Sequence, residues 1–531
     1  MMIRNTSCQT RGFSLGKGPH ASRFACRDSK TPCRRWAILV VMVTVASSLL
    51  EINLVQADSY DLRDYNRVTP VKDQNPYGNC WAYATMCSIE SNMLTQGFAS
   101  DPNSPSVDYS ESHLSRFYDG YDVGQPITGG SRHEALSYFS RGRGPVLESQ
   151  YPKPGTTGDL YANHAYAPQC WVTAQQWIDR ENVYHPATFQ DIKNTIVAHG
   201  AIETNMLWDD YYYNAGYNSY YCPGGPYTIN HAVSLVGWDD AKMTHSGNPG
   251  AWLVKNSWDT WFGDDGYFWL SYDDMSAVRS ATSYQVAPAA TYNEVIENQT
   301  NAPNTWWNIQ YGASKFTTDG AGFLEAVGFA TDEYGIQYSI SVYDSWSGNQ
   351  PSGLLRTEMG SYDWPGYYVV DFDSPILMEA NDDFVVVLHL SGGTGAGYYL
   401  AADTTCGDPM DVNYISNDGM YWYDMSSMLG GDNILFLKTF VSNIPGDANR
   451  DGAVDEADSA ALAANWGESD ATWAMGDFDC DGVVGPRDAS ILGANWGYNA
   501  SEALAVPEPS VFILMLGALV ACGTLRSRSD R

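Results

Sequence analysis

The sequence predicts an α+β protein built in consecutive parts. A mixed helix–strand region over residues 58–291 is followed by an all-β sandwich at 292–441. A small duplicated calcium-loop/helix module at 445–499 and a C-terminal hydrophobic tail complete the chain. Three observations predict this. A lone cysteine opens a helix-like run, with histidine and asparagine motifs downstream. Five β-rich runs then follow with turn residues between them. Finally, a loop–helix pattern repeats at an offset of 30 residues.

The two ends read as addresses. Arg34-Arg35 precede WAILVVMVTVASSLL, and Val55-Gln56-Ala57 follow it. A basic flank, a short apolar core and a small-residue site predict a secretory signal peptide at 1–57, cleaved near Ala57. The apolar core is short for a membrane span, which needs roughly 20 apolar residues. At the other end, Pro507-Glu508-Pro509 precede an apolar run from Val511 to Ala521, and Arg526, Arg528 and Arg531 follow. In physical terms this is a stop-transfer segment with a basic flank. The order also resembles the PEP-CTERM sorting signal, which implies processing by an exosortase-type enzyme over 506–531. The two ends together predict a secreted or cell-surface protein, transiently anchored by its C-terminal segment.

The net charge is −33, and residues 1–57 carry a net +6, so the remainder stands near −39. So acidic a body excludes nucleic acid and anionic membrane surfaces as partners. Cys80, Cys87, Cys170, Cys222, Cys406 and Cys480 lie between the two end segments, which is sparse for a disulfide-stapled protein. The sequence allows one bridge, Cys170 to Cys222.

In the first region, DQNPYGNCWAY places Cys80 after a Pro/Gly turn and at the head of WAYATMCSIESNML. A thiol becomes a nucleophile when a helix N-terminus or a neighbouring imidazolium holds it as thiolate. The turn and helix supply the first condition. His231 heads HAVSLVGW, a strand-like run after the turn-like PGGPYTIN, and supplies a base. Asn256 ends the strand-like AWLVKN and can orient the ring, while Trp258 can shield that bond from water. Gln74, with the Cys80 N–H, can form an oxyanion hole. Phe189 to Ala198 is a further amphipathic helix candidate. Cys87 reads as a packing residue.

These segments resemble the papain family of cysteine peptidases: VTPVKDQ, GNCWAY, Gly129-Gly130 before EALSYF, INHAVSLVGW and KNSWDTWFGDDGYFWL. The resemblance spans Tyr60 to about Tyr272. It implies a two-subdomain fold with a helical half and a β-barrel-like half. It also implies a catalytic set of Gln74, Cys80, His231 and Asn256, and substrate contacts at Gly129, Gly130 and Trp258, with no catalytic cofactor. Two positions depart from the pattern. Tyr77 stands where a disulfide cysteine is usual, so other packing must brace the loop. Asn79 stands where a small residue is usual. A chain cleaved near Ala57 leaves no room for an inhibitory pro-segment, so control falls to export or to calcium-dependent folding.

The five runs GFLEAVGFA, YSISVYDS, GYYVVDF, DFVVVLHL and NILFLKTF predict the sandwich. In their position after the peptidase region they resemble the lectin-like domain of some bacterial and archaeal relatives. His389 reads as a core or surface histidine.

The repeat sets GDANRDGAVDEADSAALAANWG from Gly446 against GDFDCDGVVGPRDASILGANWG from Gly476, as far as Trp466 and Trp496. Asp or Asn at loop positions 1, 3 and 5, glycine at 6 and an acid at 12 are the pattern of an EF-hand-type calcium loop. The first loop offers Asp447, Asn449, Asp451, Asp455 and Asp458, with the Ala453 carbonyl. The second offers Asp477, Asp479, Asp481 and Asp488, with the Val483 carbonyl and, at Gly485, a position left to water. The pair resembles dockerin, which implies two calcium ions and a cohesin-type partner. The alternative is a calcium-rigidified spacer.

Taken together, the sequence predicts a secreted cysteine endopeptidase acting on protein or peptide substrates. A non-catalytic surface scaffold using the β-sandwich and the duplicated module is the alternative, and transglutaminase-like acyl transfer is a third reading.

Overall fold

The computed structural model describes residues 58–118, 127–154, 167–181, 185–224, 228–298, 301–394, 397, 400–405, 411–431, 433–469 and 471–505. The expected signal peptide at 1–57, the sorting signal at 506–531 and Cys406 lie outside the described residues.

CWAYATMCSIESNMLT forms the helix Cys80–Thr95, in which every residue from Trp81 to Leu94 is buried. A helix without a solvated face must satisfy its polar side chains internally. Thr85 donates to Glu203 at 2.9 Å, Ser88 to the Ala201 carbonyl at 2.6 Å and Ser91 to the Arg67 carbonyl at 2.6 Å. Asn92 donates to the His199 carbonyl at 2.9 Å and accepts from the Val286 N–H at 3.0 Å. These bonds reach separate elements, so they fix the helix in rotation as well as in position.

On one side, Trp81, Ile89 and Met86 pack with Leu114 and Phe117 of the helix Glu111–Phe117, and with Tyr138 and Phe139 of the helix Arg132–Phe139. Ser131 and Glu134 form a capping box that starts the latter helix. On the other side, Cys87 joins a core with Val233, Leu235 and Trp252 of the strands His231–Met243 and Pro249–Lys255. Ile192 and Ile196 of the helix Phe189–His199 close that core.

One antiparallel sheet continues from this region into the next domain. Ile202–Met206 pairs with both His231–Met243 and Ala281–Pro288, which in turn pairs with Cys170–Trp177. The Cys170–Trp177 strand then pairs with Gly366–Met378, in the register Gly366 to Gln176 through Tyr368 to Ala174. Gly366 has φ +154°, and a Cβ there would stand 2.1 Å from the Gln175 carbonyl oxygen. Only glycine permits this approach. The second layer runs in the order Gln350–Tyr362, Ile336–Ser347, Asp383–Gly392, Tyr311–Thr317, Asn413–Ser416, Tyr423–Asp424. Val386, Leu388 and Leu390 face inward against Val327, Phe329 and Tyr368, the alternation expected of a sandwich. His389 points the other way and stacks on Tyr311 at 4.0 Å.

The five β-rich runs all lie in strands of this domain. Two further long strands escape the sequence pattern. Gln350–Tyr362 carries Pro351 and Gly353 and is largely exposed at an edge, while Tyr311–Thr317 sets the small or polar run Gly312 to Lys315 between two aromatic residues. Cys170 and Cys222 are both free thiols, which corrects the bridge considered from sequence. They sit in different cores, Cys170 beside Tyr109 and Cys222 beside Tyr220, so neither thiol is available to the other.

The duplicated module forms the helices Glu456–Ala464 and Pro486–Asn495. Val454, Leu462, Val484 and Leu492 share a small core with Ala321 and Ile444, and Phe323 and Leu377 of the sandwich pack against it. Arg450, within the first loop, pairs with Glu294 of the sandwich at 2.6 Å. The module is therefore seated on the β-domain.

A buried charge cluster ties the halves of the first region together. Lys72 Nζ lies 2.9 Å from Glu90 on the central helix, 2.8 Å from Glu111 and 2.7 Å from Asp108. Thr69 donates to Glu90 and accepts from Lys255 at 3.1 Å. Burial pushes the Glu111 carboxyl well above the ordinary glutamate value, against the pull of Lys72. Lys72→Met removes the cation that contacts Glu90, Glu111 and Asp108 directly. It should destabilise the fold by about 3–5 kcal/mol in urea unfolding, whereas an unchanged midpoint would show that the cluster is dispensable.

Candidate active site

Cys80 is the first residue of the central helix, so its backbone N–H has no acceptor within the helix. Asn79 precedes it and is buried, and its amide donates to Ser115 at 3.1 Å. The position that departs from the usual small residue thus anchors the helix start to the neighbouring helix. Sγ of Cys80 accepts from the Ala232 N–H at 3.4 Å. Ala232 directly follows His231 at the head of the strand His231–Met243, so the base-bearing strand meets the sulfur.

His231 is buried, and its Nε2 lies 2.9 Å from Asn256 Oδ1. With Nε2 carrying the proton that Asn256 accepts, Nδ1 is left as a lone pair. Asn256 Oδ1 also accepts from the Ser257 N–H at 2.9 Å, so the oxygen is presented to the ring in a fixed direction. Trp258 stacks on His231, with ring centroids 4.7 Å apart and planes at 22°. Trp208 and Phe262 pack edge-on against Trp258. These rings keep water away from the histidine–asparagine bond.

Gln74 is oriented from two sides. Ser257 Oγ donates to Gln74 Oε1 at 2.6 Å, and Gln74 Nε2 donates to the Tyr77 carbonyl at 2.9 Å. This assigns the amide rotamer and leaves one Nε2 hydrogen to spend elsewhere. The backbone of Gln74 also donates to the Ser257 carbonyl at 2.8 Å. The loop from Asp73 to Asn79 has no disulfide. Lys153 Nζ donates to the carbonyls of Asp73 and Asn75 at 2.5 and 2.8 Å. Tyr83 donates to the Asp73 carbonyl at 3.1 Å, and Tyr77 donates to the Pro154 carbonyl at 3.2 Å. Tyr77, the departure in the motif, is thus one of the braces. Sequence reasoning missed Ser257 and Lys153. Ser257 sits inside KNSW and had a signal. Lys153 is distant in the chain and had none.

Burial controls the electrostatics. It pushes the Cys80 thiol above its ordinary value, with the backbone N–H groups of Ala232 and Trp81 pulling the other way. It pushes His231 down to about 4, against the pull of Asn256. At Cys80 desolvation outweighs the pull of these N–H groups at the helix start, so the histidine expected from the sequence is needed beside it. Each isolated charge is disfavoured in so dry a site. Thiolate and imidazolium become affordable only as a pair.

Gly129 and Gly130 are exposed beside this site. A Cβ at Gly130 would lie 2.5 Å from the Trp81 ring, so glycine is required where the chain crosses the residue after Cys80. Trp81 Nε1 holds the same segment by donating to the Thr128 carbonyl at 3.1 Å.

The acidic loops stand apart from this centre. Ligand oxygens of Asp477, Asp479 and Asp481 lie within 4.8 Å of one another. Asp447, Asp458, Asp477 and Asp488 are buried. Burial, reinforced by Asp458 and Asp451, pushes Asp447 up to about 6. Gly452 and Gly482 donate to Asp447 and Asp477 at 2.8 and 2.9 Å, turning the other oxygen of each into the loop. Crowded, buried acids of this kind fit a hard divalent cation.

The papain family cysteine protease model matches residues 56–287, and the lectin-like domain model matches 284–441. The chain is 28% identical over 233 residues to the oryzain gamma chain of Oryza sativa subsp. japonica, covering 43% of this chain and 59% of that protein. It is 29% identical over 244 residues to a cathepsin L-like proteinase of Fasciola hepatica, covering 44% of this chain and 66% of that one. The chain thus spans less than two thirds of the length of these relatives. Among solved structures, the cysteine protease and lectin-like domains of Cwp84, a surface layer associated protein of Clostridium difficile, superpose with a TM-score of 0.61 at 22% identity. That match covers 73% of this chain and 89% of the other, so the two share the two-domain fold. Residues 56–287 are accordingly a papain-family cysteine protease domain, continued by a lectin-like domain over 284–441.

Proposed function

We propose that this protein is an exported cysteine endopeptidase that hydrolyses peptide bonds through Cys80, His231, Asn256 and Gln74. The observation that carries the reading is the contact between the Ala232 N–H and Cys80 Sγ, which sets the start of the His231 strand against the thiol. His231 Nδ1 takes the thiol proton as Sγ attacks the scissile carbonyl, so the ion pair forms as the bond does. The tetrahedral oxyanion accepts from the Cys80 N–H and from the remaining Nε2 hydrogen of Gln74. His231 returns the proton to the leaving amine. Water, deprotonated by His231, then releases the acyl group from sulfur. Asn256 holds the ring for both transfers, and Ser257 holds Gln74.

The duplicated module would hold two calcium ions: one on Asp447, Asn449, Asp451, Asp455 and Asp458, the other on Asp477, Asp479, Asp481 and Asp488. Bound there, calcium neutralises the buried acids and stiffens the seat on the β-domain. Trp466 and Trp496 are half exposed at matched positions and form the face for a cohesin-type partner. An exosortase-type enzyme would process the tail. Cell-surface placement draws on the two end segments and on the surface-layer association stated for Cwp84.

Three outcomes are expected. Purified protein should cleave an unfolded protein substrate, and Cys80→Ala should lower kcat by at least about 10⁴-fold, as removal of an activated nucleophile does; equal rates would rule out this site. The neutral form of His231 is present above its pKa and is lost as pH falls through it. Alkylation of Cys80 by a small neutral reagent should therefore keep its rate down to an acid limb near 4, set by His231, and a limb near the ordinary histidine value of about 6.5 would contradict the buried site. Calcium at 100 times its Kd should stabilise the module by about 2.7 kcal/mol per ion, read as a Tm rise reversed by chelator. Titration calorimetry should give two ions, and no shift and no heat would remove calcium from the account.

A further inference from the structure

A cavity of 430 Å³ lies where the protease domain meets the lectin-like domain. Its walls include Tyr118, His133 and Glu134 from the first and Ala302, Asn304 and Trp306 from the second. Side-chain packing links it to the catalytic centre in two contacts. Trp81, the residue after Cys80, presses on Gly130 and meets Tyr118 edge-on at 6.1 Å. Tyr118 is then a wall of the cavity. Trp306 of the second domain meets Trp177 of the first edge-on at 5.9 Å, and Asn304 is fixed within its own domain by donating to Asp403 at 3.1 Å.

The direction of the substrate follows from the chemistry. His231 must protonate the leaving amine, so residues downstream of the scissile bond depart past His231 and Trp258. The substrate contacts expected at Gly129-Gly130 would lead the upstream residues toward the helix Arg132–Phe139, which begins two residues on. We propose that this interdomain cavity is an extended subsite for the upstream part of the peptide, and that it takes a lysine or arginine side chain. This rests on the peptidase reading above.

The preference follows from the lining. Arg132, at the start of the helix, is spent on a two-pronged pair with Asp179 at 2.8 and 2.9 Å. Glu134 is then the acid among the walls, with one carboxylate oxygen used by Ser131 and the charge left to face the cavity. Tyr118 and Trp306 put two aromatic rings among the walls, and a cation over the face of such a ring is favoured. The chain's net charge of −33 draws basic peptides toward it. The lectin-like domain on this account shapes peptide specificity.

The test uses the full chain and three substrates: a dipeptidyl amide that ends before the cavity, and two internally quenched peptides that differ only in carrying lysines or glutamates upstream. The ratio of kcat/KM for the lysine over the glutamate peptide should be at least tenfold. It should fall toward one in Glu134→Gln, which keeps an oxygen for the helix cap, and in Ala302→Trp, which fills the cavity from the second domain. A ratio near one in the unmodified protein, or a ratio unmoved by both variants, overturns the subsite while hydrolysis of the dipeptidyl amide upholds the peptidase. If none of the three substrates is cleaved, the peptidase reading falls and the subsite with it.

Discussion

Everything in the protease domain depends on a helix that has no solvated side. The Cys80–Thr95 helix is buried from Trp81 to Leu94, and its polar residues bond outward to separate parts of the fold. An ordinary amphipathic helix tolerates small slips because one face is free. This one does not, since a slip would leave Thr85, Ser88, Ser91 and Asn92 without partners in a dry core, at about 1–3 kcal/mol each. The same rigidity fixes Cys80 at the helix start, facing the strand that begins with His231. Position is what this architecture provides. Burial works against charge on either group alone.

The second domain is joined by main-chain pairing. The Cys170–Trp177 strand belongs to the protease domain, and Gly366–Met378 belongs to the sandwich, yet the two are neighbours in one sheet. A junction of this kind resists hinge motion, because bending it breaks ladder hydrogen bonds at buried positions. The cavity beside Trp306 therefore keeps its two walls in register, and the duplicated module extends the same logic by sharing its core with Ala321 and Ile444.

Much of the site was legible in the sequence because its residues sit in local patterns. Cys80 follows a turn and opens a helix, His231 opens a strand, Asn256 closes one, and the acidic loops repeat in phase. What was not legible depends on folding distance. Lys153 braces the loop before Cys80 from far along the chain, and Ser257 orients Gln74 only because two segments run side by side. The sheet shared by the two domains had no sequence signal, since strand pairing across a domain boundary leaves each strand's own pattern unchanged. The free state of Cys170 and Cys222 was equally hidden. It depends on which core each thiol enters, and spacing does not reveal that. The balance of burial against helix position at Cys80 likewise needed the packed neighbours.

The central claim is that Cys80 is the residue that becomes acylated. The direct measurement is to mix the protein with an activated ester of an N-acylated amino acid, quench in acid within the first turnover, and map the adduct by mass spectrometry. One acyl group on Cys80, with Cys87, Cys170, Cys222, Cys406 and Cys480 unmodified, is the predicted result. An acyl group on another residue, or hydrolysis with no trapped adduct on Cys80, would contradict it.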